Sequence, residues 1–226
     1  MSQSRPEQMR THWEKFAEGD PMYYIATWNK NWTLDDFFAS GLEVAEKIAR
    51  WAGRQHGGRM LEIGCGLGRT AVHFSRWFDR VDGVDISPKM IDMARSLNPP
   101  DHVHFSAISG TDLTQFENDT FDLVYSYIVF QHIPEEAVIE SYLREISRVL
   151  KPGGQAALQF DTRPEGTLIK LYKSLPDPLL PRPHRRFIRR YRRRPERLQS
   201  LMEGAGLRVE DEQGKGTAEH FFLLRK

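Results

Sequence analysis

Leu61-Glu62-Ile63-Gly64-Cys65-Gly66-Leu67-Gly68 is the stretch on which the fold turns. Arg59 to Ile63 reads as a short strand that runs into a glycine-rich turn, and Thr70 to Phe78 reads as a helix. Glycines at such a turn let a ligand come close to the backbone. The N-terminus of the following helix offers N–H groups to an anion. Spacing narrows the ligand. A dinucleotide fingerprint has glycines at its first, third and sixth positions. Here they stand first, third and fifth, and the sixth position is Arg69, which argues against NAD or FAD. No Gly-Lys-Ser/Thr follows, so the phosphate loop of nucleotide triphosphatases is absent as well. Arg80 to Asp85 is a second strand, and Asp85 stands 21 residues after Gly64. A carboxylate at that place can accept hydrogen bonds from two ribose hydroxyls. The residues therefore describe a nucleoside held by Asp85, with its other end against the glycine loop.

Working outward, Pro88 to Leu97 is a helix with proline in its first turn, and His102 to Phe105 is a third strand. Phe121 to Tyr127 is almost wholly apolar and reads as a strand buried on both faces. Pro134 to Leu150 is a long helix, stopped by Lys151-Pro152-Gly153-Gly154 before a fifth strand over Gln155 to Phe160. Strands that alternate with helices make a parallel sheet covered on both faces. Upstream, Leu34 to Ala52 has the apolar spacing of one buried helix face, with Thr33 as its N-cap. Asp20 to Tyr24 reads as an aromatic turn. Downstream, Pro195 to Ala205 is a helix. Leu207 to Glu210 and Glu219 to Leu224 are strands joined through Gly214-Lys215-Gly216, an antiparallel hairpin at the sheet edge.

The chain has 226 residues, enough for one large domain with a full core. It has one cysteine, Cys65, which excludes a disulfide framework and a cysteine-rich zinc site, and no metal-ligand cluster stands out. No apolar run approaches a membrane span, and the polar start lacks a secretory pattern, which fits a soluble cytoplasmic protein. Net charge is +1, yet its distribution is uneven. Between Asp177 and Gln199 nine arginines face two acids, a net of +7 that leaves −6 on the remainder.

The runs LEIGCGLGR, VDGVDISPKMIDMAR, FDLVYSYIVFQHIP and REISRVLKPGG resemble the class I S-adenosylmethionine-dependent methyltransferases, in particular their broad small-molecule group. The resemblance covers Met60 to Asp161 well. It implies an α/β, Rossmann-like, doubly wound seven-stranded sheet with the last strand antiparallel, and an N-terminal helical lid. The chain then divides into a helical lid segment, 1–56, and the cofactor-binding core, 57–162. A Pro/Arg-rich cap, 163–194, follows, and the helix and hairpin of 195–226 complete the same domain.

The resemblance implies S-adenosylmethionine as cofactor. Glu62, Gly64, Cys65, Gly66 and Gly68 match the motif around its methionine end, Asp85 the ribose acid, and Ile86 and Met90 the flanks of the adenine. Where the family often places an adenine-binding Asp, the aligned stretch Ala107-Ile108-Ser109-Gly110-Thr111-Asp112 puts Ser109 beside Ile108. Either Ser109 and backbone serve instead, or Asp112 does through a shifted loop. Ser126 and Tyr127 match positions along the cofactor and methyl-transfer site. His132 has two readings, a general base and a scaffold residue. Tyr23 and Tyr24 belong to the core or to the lid, where they would bind substrate.

The arginine stretch falls where the family often caps the acceptor pocket. Phe187, Ile188 and Tyr191 have the spacing to pin a short helix, which would set Arg186 and Arg190 at the mouth to bind an anionic group on a small-molecule acceptor. RNA or protein docking through the same arginines is the alternative, and an anionic membrane surface is a further reading of them. Nucleic acid is the weaker choice because few aromatics lie among them. A third reading is a cofactor-binding partner subunit without catalysis.

Overall fold

The computed structural model describes residues 5–26, 29–53, 56–166, 169, 171–172, 175–180 and 189–226. Three helices open the chain: α1 (Arg5–Glu18), α2 (Pro21–Ile25) and α3 (Leu34–Trp51). Then follow β1 (Arg59–Ile63), α4 (Ala71–Phe74), β2 (Arg80–Asp85), α5 (Pro88–Ser96), β3 (Val103–Ala107) and β4 (Phe121–Ser126). A 3₁₀ turn, Phe130–His132, leads to α6 (Glu136–Val149) and β5 (Leu150–Phe160). The chain ends with α7 (Pro195–Gly204), β6 (Arg208–Gln213) and β7 (His220–Arg225). The seven strands form one sheet in the order β3-β2-β1-β4-β5-β7-β6. Strands β1 to β5 pair in parallel, and β7 runs antiparallel between β5 and β6.

Strand periodicity sorts the core into two layers. Leu61, Ile63, Val124, Ala156, Leu158 and Leu224 join the layer that packs on α6 and α7. Their neighbours Met60, Leu123, Tyr125, Ala157 and Leu223 face the other layer, with Ala45 and Ile48 of α3 and Phe74 of α4. A third cluster holds the amino-terminal helices to the core, where Ala17, Ala26 and Phe37 meet Leu67 and Met90. Strand β1 has β2 on one side and β4 on the other, so the strand order reverses there and opens a crevice at the carboxyl ends of the strands. Among the described residues no helix is long and apolar enough to cross a membrane.

Local readings shift in five places. Asp20 to Tyr24 is the start of a short helix, because Asp20 Oδ1 accepts the Tyr23 amide at 3.0 Å and proline fills the first helical position. The helix expected over Thr70 to Phe78 is α only over Ala71–Phe74. Beyond it Arg76 and Trp77 bond three residues back, to His73 and Phe74, in tighter turns. Helix α6 starts after Glu135 rather than at Pro134. Pro152 to Gly154 lies inside β5 as an irregularity, since Phe121 pairs with Leu150 while Leu123 pairs with Gln155. Tyr191 is not helical: its amide donates to Gln131 O at 2.6 Å, and Arg193 N donates to Asp161 O at 3.0 Å. Phe187, Ile188 and Arg186 lie outside the described residues.

Helix α3 owes its place to Gly41. A Cβ there would lie 2.0 Å from the Arg69 carbonyl oxygen, in the loop that ends the glycine run. Helix propensity favours alanine by about 1 kcal/mol, whereas overpacking a tight contact costs about 1–3 kcal/mol. Gly41→Ala is expected to lower stability despite its propensity, by up to about 2 kcal/mol net, measured by urea unfolding. A variant more stable than wild type would contradict the contact.

Candidate active site

The loop after β1 is folded back onto the end of β2. Gly64 N and Cys65 N both donate to Val84 O, at 2.7 and 3.0 Å. Gly66 N donates to Asp85 Oδ2 at 3.0 Å, and Gly68 N closes onto Cys65 O at 2.8 Å. These amides point into the protein, not at a ligand. The glycines instead let neighbouring side chains pack directly on the backbone. Gly64 has φ +76, and a Cβ on it would sit 2.2 Å from Val129 Cγ2. Helix α4 spans only four residues, and its first turn serves an internal carboxyl group. Thr70 Oγ1 donates to Glu62 Oε1, and the Ala71 amide faces the same carboxyl.

Asp85 is nearly buried and braced by backbone amides, from Gly66 on one oxygen at 3.0 Å and Ser87 on the other at 2.9 Å, with the Ile86 amide also turned to the carboxyl. Burial pushes its pKa up against the pull of these amides. A carboxylate has about four lone-pair positions, so these amides do not exhaust it. The cleft beside it encloses about 730 Å³ of empty space, its open mouth included. Asp85, Gly64 and Gly66 line it, with Ile86, Met90 and Ile108 on the adjacent wall.

The loop after β4 supplies the far wall through Tyr127, Ile128, Val129 and His132. Ile128 has φ +60, a backbone state that costs a β-branched residue energy and must be held. The buried Gln159 side chain holds it. Its Oε1 accepts the Ile128 amide at 2.9 Å, and its Nε2 donates to Ala218 O at 2.6 Å and Gln131 Oε1 at 3.2 Å. Tyr127 stacks on Phe221 with ring centroids 5.5 Å apart, and its hydroxyl donates to Glu219 Oε1 at 3.1 Å. Burial and the Glu219 carboxylate push the phenol up to about 12, so it stays protonated. The His132 ring meets Trp13 edge-on, with ring centroids 6.0 Å apart.

Not every sequence-derived position lines the cleft. Glu62, Cys65 and Ser126 are buried beneath it. Ser126 Oγ donates to Ile63 O at 2.9 Å and ties β4 to β1. Gly68 packs against Phe105, where a Cβ would meet the ring at 2.3 Å. Ser109 is exposed and turns away, donating to Asp112 Oδ2 at 2.7 Å. Asp112 also accepts from the Thr111 and Thr114 hydroxyls, and the Ser109 hydroxyl leads in drawing its pKa down. Both are engaged within their own loop. Tyr24 lines the cleft and stacks on Phe16 at 4.0 Å, while Tyr23 lies outside the lining and meets Tyr24 edge-on. Arg190 lies near enough to Tyr127 for its charge to act on the phenol. Sequence reasoning passed over Met9, Trp13, Ile25 and Tyr142, which also line the cleft. It passed over Gln159 too, whose one signal is a lone amide in the apolar run Ala156 to Phe160.

Glu62 makes a measurable prediction. Burial, opposed by the Thr70 hydroxyl and the Arg69 charge, pushes its pKa up to about 7 from 4.5. Between those values the unfolded chain releases the proton while the folded protein keeps it. Stability contributed by the neutral acid is complete below pH 4.5 and falls as pH rises through 7, by roughly 3 kcal/mol. Glu62→Gln keeps an acceptor for Thr70 and has no proton to lose. Urea unfolding at pH 5 and pH 8 should show the variant gaining on wild type by up to about 3 kcal/mol as pH rises. A difference that does not change with pH would contradict the buried acid.

Residues 61–158 match the family described as "Methyltransferase domain". The chain is 32% identical over 123 residues to 2-methyl-6-phytyl-1,4-hydroquinone methyltransferase of Synechocystis, a match covering 53% of this chain and 38% of that protein. It is 31% identical over 104 residues to ubiquinone biosynthesis O-methyltransferase of Xanthomonas oryzae, covering 45% and 42%. The matches thus span about two-fifths of these relatives' lengths. In fold it is similar to magnesium protoporphyrin IX methyltransferase of Synechocystis solved with S-adenosylhomocysteine, at TM-score 0.68 and 16% identity over 97% of this chain and 99% of the other. The glycine loop, the acid at the end of β2, the seven-strand order and the matched segment agree: residues 61–158 match a methyltransferase domain, and the sheet has the fold of the class I S-adenosylmethionine-dependent methyltransferases.

Proposed function

We propose that the protein transfers a methyl group from S-adenosylmethionine to a small-molecule acceptor. The observation that carries this reading is the cleft at the carboxyl ends of β1, β2 and β4, with Asp85 on one side and His132 and Tyr127 on the other. The residues fit the cofactor. Asp85 keeps acceptor capacity for a diol, and Gly64 lets Val129 pack directly on the loop at the cleft wall. Ile86, Met90 and Ile108 give an apolar wall for a flat base. Bound there, S-adenosylmethionine supplies an electrophilic methyl group whose donor sulfur leaves as a neutral thioether.

The protein's tasks are then positioning, exclusion of water and, for a hydroxyl acceptor, removal of a proton. Trp13, Tyr24 and Ile25, from α1 and α2, cover the cleft with apolar surface. His132 is the group placed to accept a proton from an acceptor in the cleft. Tyr127, held protonated, donates to Glu219 and offers its ring as a wall. Arg190, close to Tyr127, suits an acceptor with an anionic group. The curated relatives named above act on hydroquinone-type and ubiquinone-pathway acceptors by their names, which supports the small-molecule class over RNA or protein.

Calorimetric titration of the full chain with S-adenosylmethionine and S-adenosylhomocysteine tests the cofactor. Micromolar binding is expected, and Asp85→Asn should weaken it on the order of a hundredfold, as loss of hydrogen bonds to a charged acceptor does. Unchanged affinity in a folded Asp85→Asn protein, or no binding by wild type, would contradict the proposal.

A further inference from the structure

The turn that carries His132 is held by the backbone on both sides. Tyr191 N donates to Gln131 O at 2.6 Å, and His132 N donates to Val129 O at 2.8 Å. Two amide side chains, Gln131 and Gln159, are buried at this turn, each 1% exposed. In such an amide the oxygen accepts and the nitrogen donates, and its partners decide which way round it sits.

For Gln159 the backbone decides. Its Oε1 faces the Ile128 amide, which can only donate, at 2.9 Å. Its Nε2 faces the Ala218 carbonyl, which can only accept, at 2.6 Å. Turned over, the side chain would set N–H against N–H at one end and oxygen against oxygen at the other, and buried groups would be left unpaired. The second Nε2 hydrogen goes to Gln131 Oε1 at 3.2 Å. Gln131 is thereby fixed as well, with its oxygen toward Gln159 and its Nε2 3.3 Å from His132 Nε2. The Gln131 nitrogen brings a hydrogen, so His132 Nε2 is the nitrogen that accepts. A neutral imidazole has one donor and one acceptor nitrogen, and its proton is then on Nδ1.

We propose that Gln159 and Gln131 set the tautomer of His132, with the proton on Nδ1 and the accepting lone pair on Nε2. They are positioning residues: neither lines the cleft, and both act through the histidine, which does. The partner of one ring nitrogen commonly decides where the proton of the other sits. The use made of this tautomer rests on the methyl transfer proposed above. A hydroxyl acceptor gives its proton to Nε2. The O–H bond breaks, the Nε2–H bond forms, and the oxygen keeps the electron pair that takes the methyl group. The ring becomes an imidazolium with a hydrogen on each nitrogen. The hydrogen bond that this proton displaces is the longest of the series, from Gln131 at 3.3 Å. The opposite tautomer would already carry a hydrogen on Nε2 and could take none there.

Nitrogen-15 NMR of the full chain without cofactor reads the tautomer, at about pH 9, well above the usual imidazole pKa of about 6.5. A protonated and a bare ring nitrogen resonate far apart. Among the eight histidines, the signals of His132 are those lost in His132→Asn. Wild type is expected to carry the proton on Nδ1 with Nε2 bare. Gln131→Glu keeps an acceptor for Gln159 but turns the atom that faces His132 from donor to acceptor, so Nε2 should gain a proton. Gln159→Leu removes what orients Gln131, and both tautomers should appear. Circular dichroism checks that each variant is folded. A wild type with its proton on Nε2 overturns the proposal. So does a folded Gln131→Glu or Gln159→Leu protein in which Nε2 stays bare. The calorimetric titration fails separately: absence of cofactor binding there would remove the use of His132 in methyl transfer and leave the tautomer as read.

Discussion

Two acceptors at the end of β2, the Val84 carbonyl and the Asp85 carboxylate, receive the amides of Gly64, Cys65 and Gly66. Everything at the cleft depends on this junction. It folds the loop after β1 flat against β2, so the amides are consumed inside the protein and the cleft is left as space. It also fixes the Asp85 carboxylate, with Gly66 N on one oxygen and Ser87 N on the other, and leaves it acceptor capacity. Burial raises the cost of ionising Asp85, and the amides of Ser87, Gly66 and Ile86 offset part of that cost. The acid is thus poised for donors that arrive with a ligand.

The same economy recurs around the cleft. Glu62 takes the Thr70 hydroxyl and the first turn of α4, so the helix end that might meet a phosphate is already occupied. Ser126 ties the ends of β4 and β1 together, and Gln159 pins the strained Ile128. Ligand-facing groups therefore stand on a shell of buried polar residues that bond to one another and to the backbone. Their rigidity is what sets His132, Tyr127 and Asp85 on opposite walls of one cleft.

Much of this was legible in the sequence because it follows from period and punctuation. Alternating strands and helices, the apolar run of β4 and the glycine turn between β6 and β7 predict a parallel sheet with an antiparallel hairpin. The seven-strand order matches the resemblance. Asp85, Gly64, Gly66, Ile86, Met90, Ile108, Tyr127 and His132 do line one cleft. Positions that differ do so for local reasons. Ser109 and Asp112 satisfy each other, a contact two short polar side chains make within one loop. Trp13, Met9 and Tyr142 come from distant elements, and only tertiary packing brings them to the cleft. The positive φ of Ile128 leaves no mark on composition, since nothing about isoleucine announces it.

The central claim is that the cleft beside Asp85 receives the nucleoside. A crystal structure of the full chain with S-adenosylhomocysteine tests it most directly. The account predicts both ribose hydroxyls on the Asp85 oxygens, the adenine against Ile86, Met90 and Ile108, and the sulfur toward Tyr127 and His132. A ligand bound elsewhere, or a ribose turned away from Asp85, would contradict it.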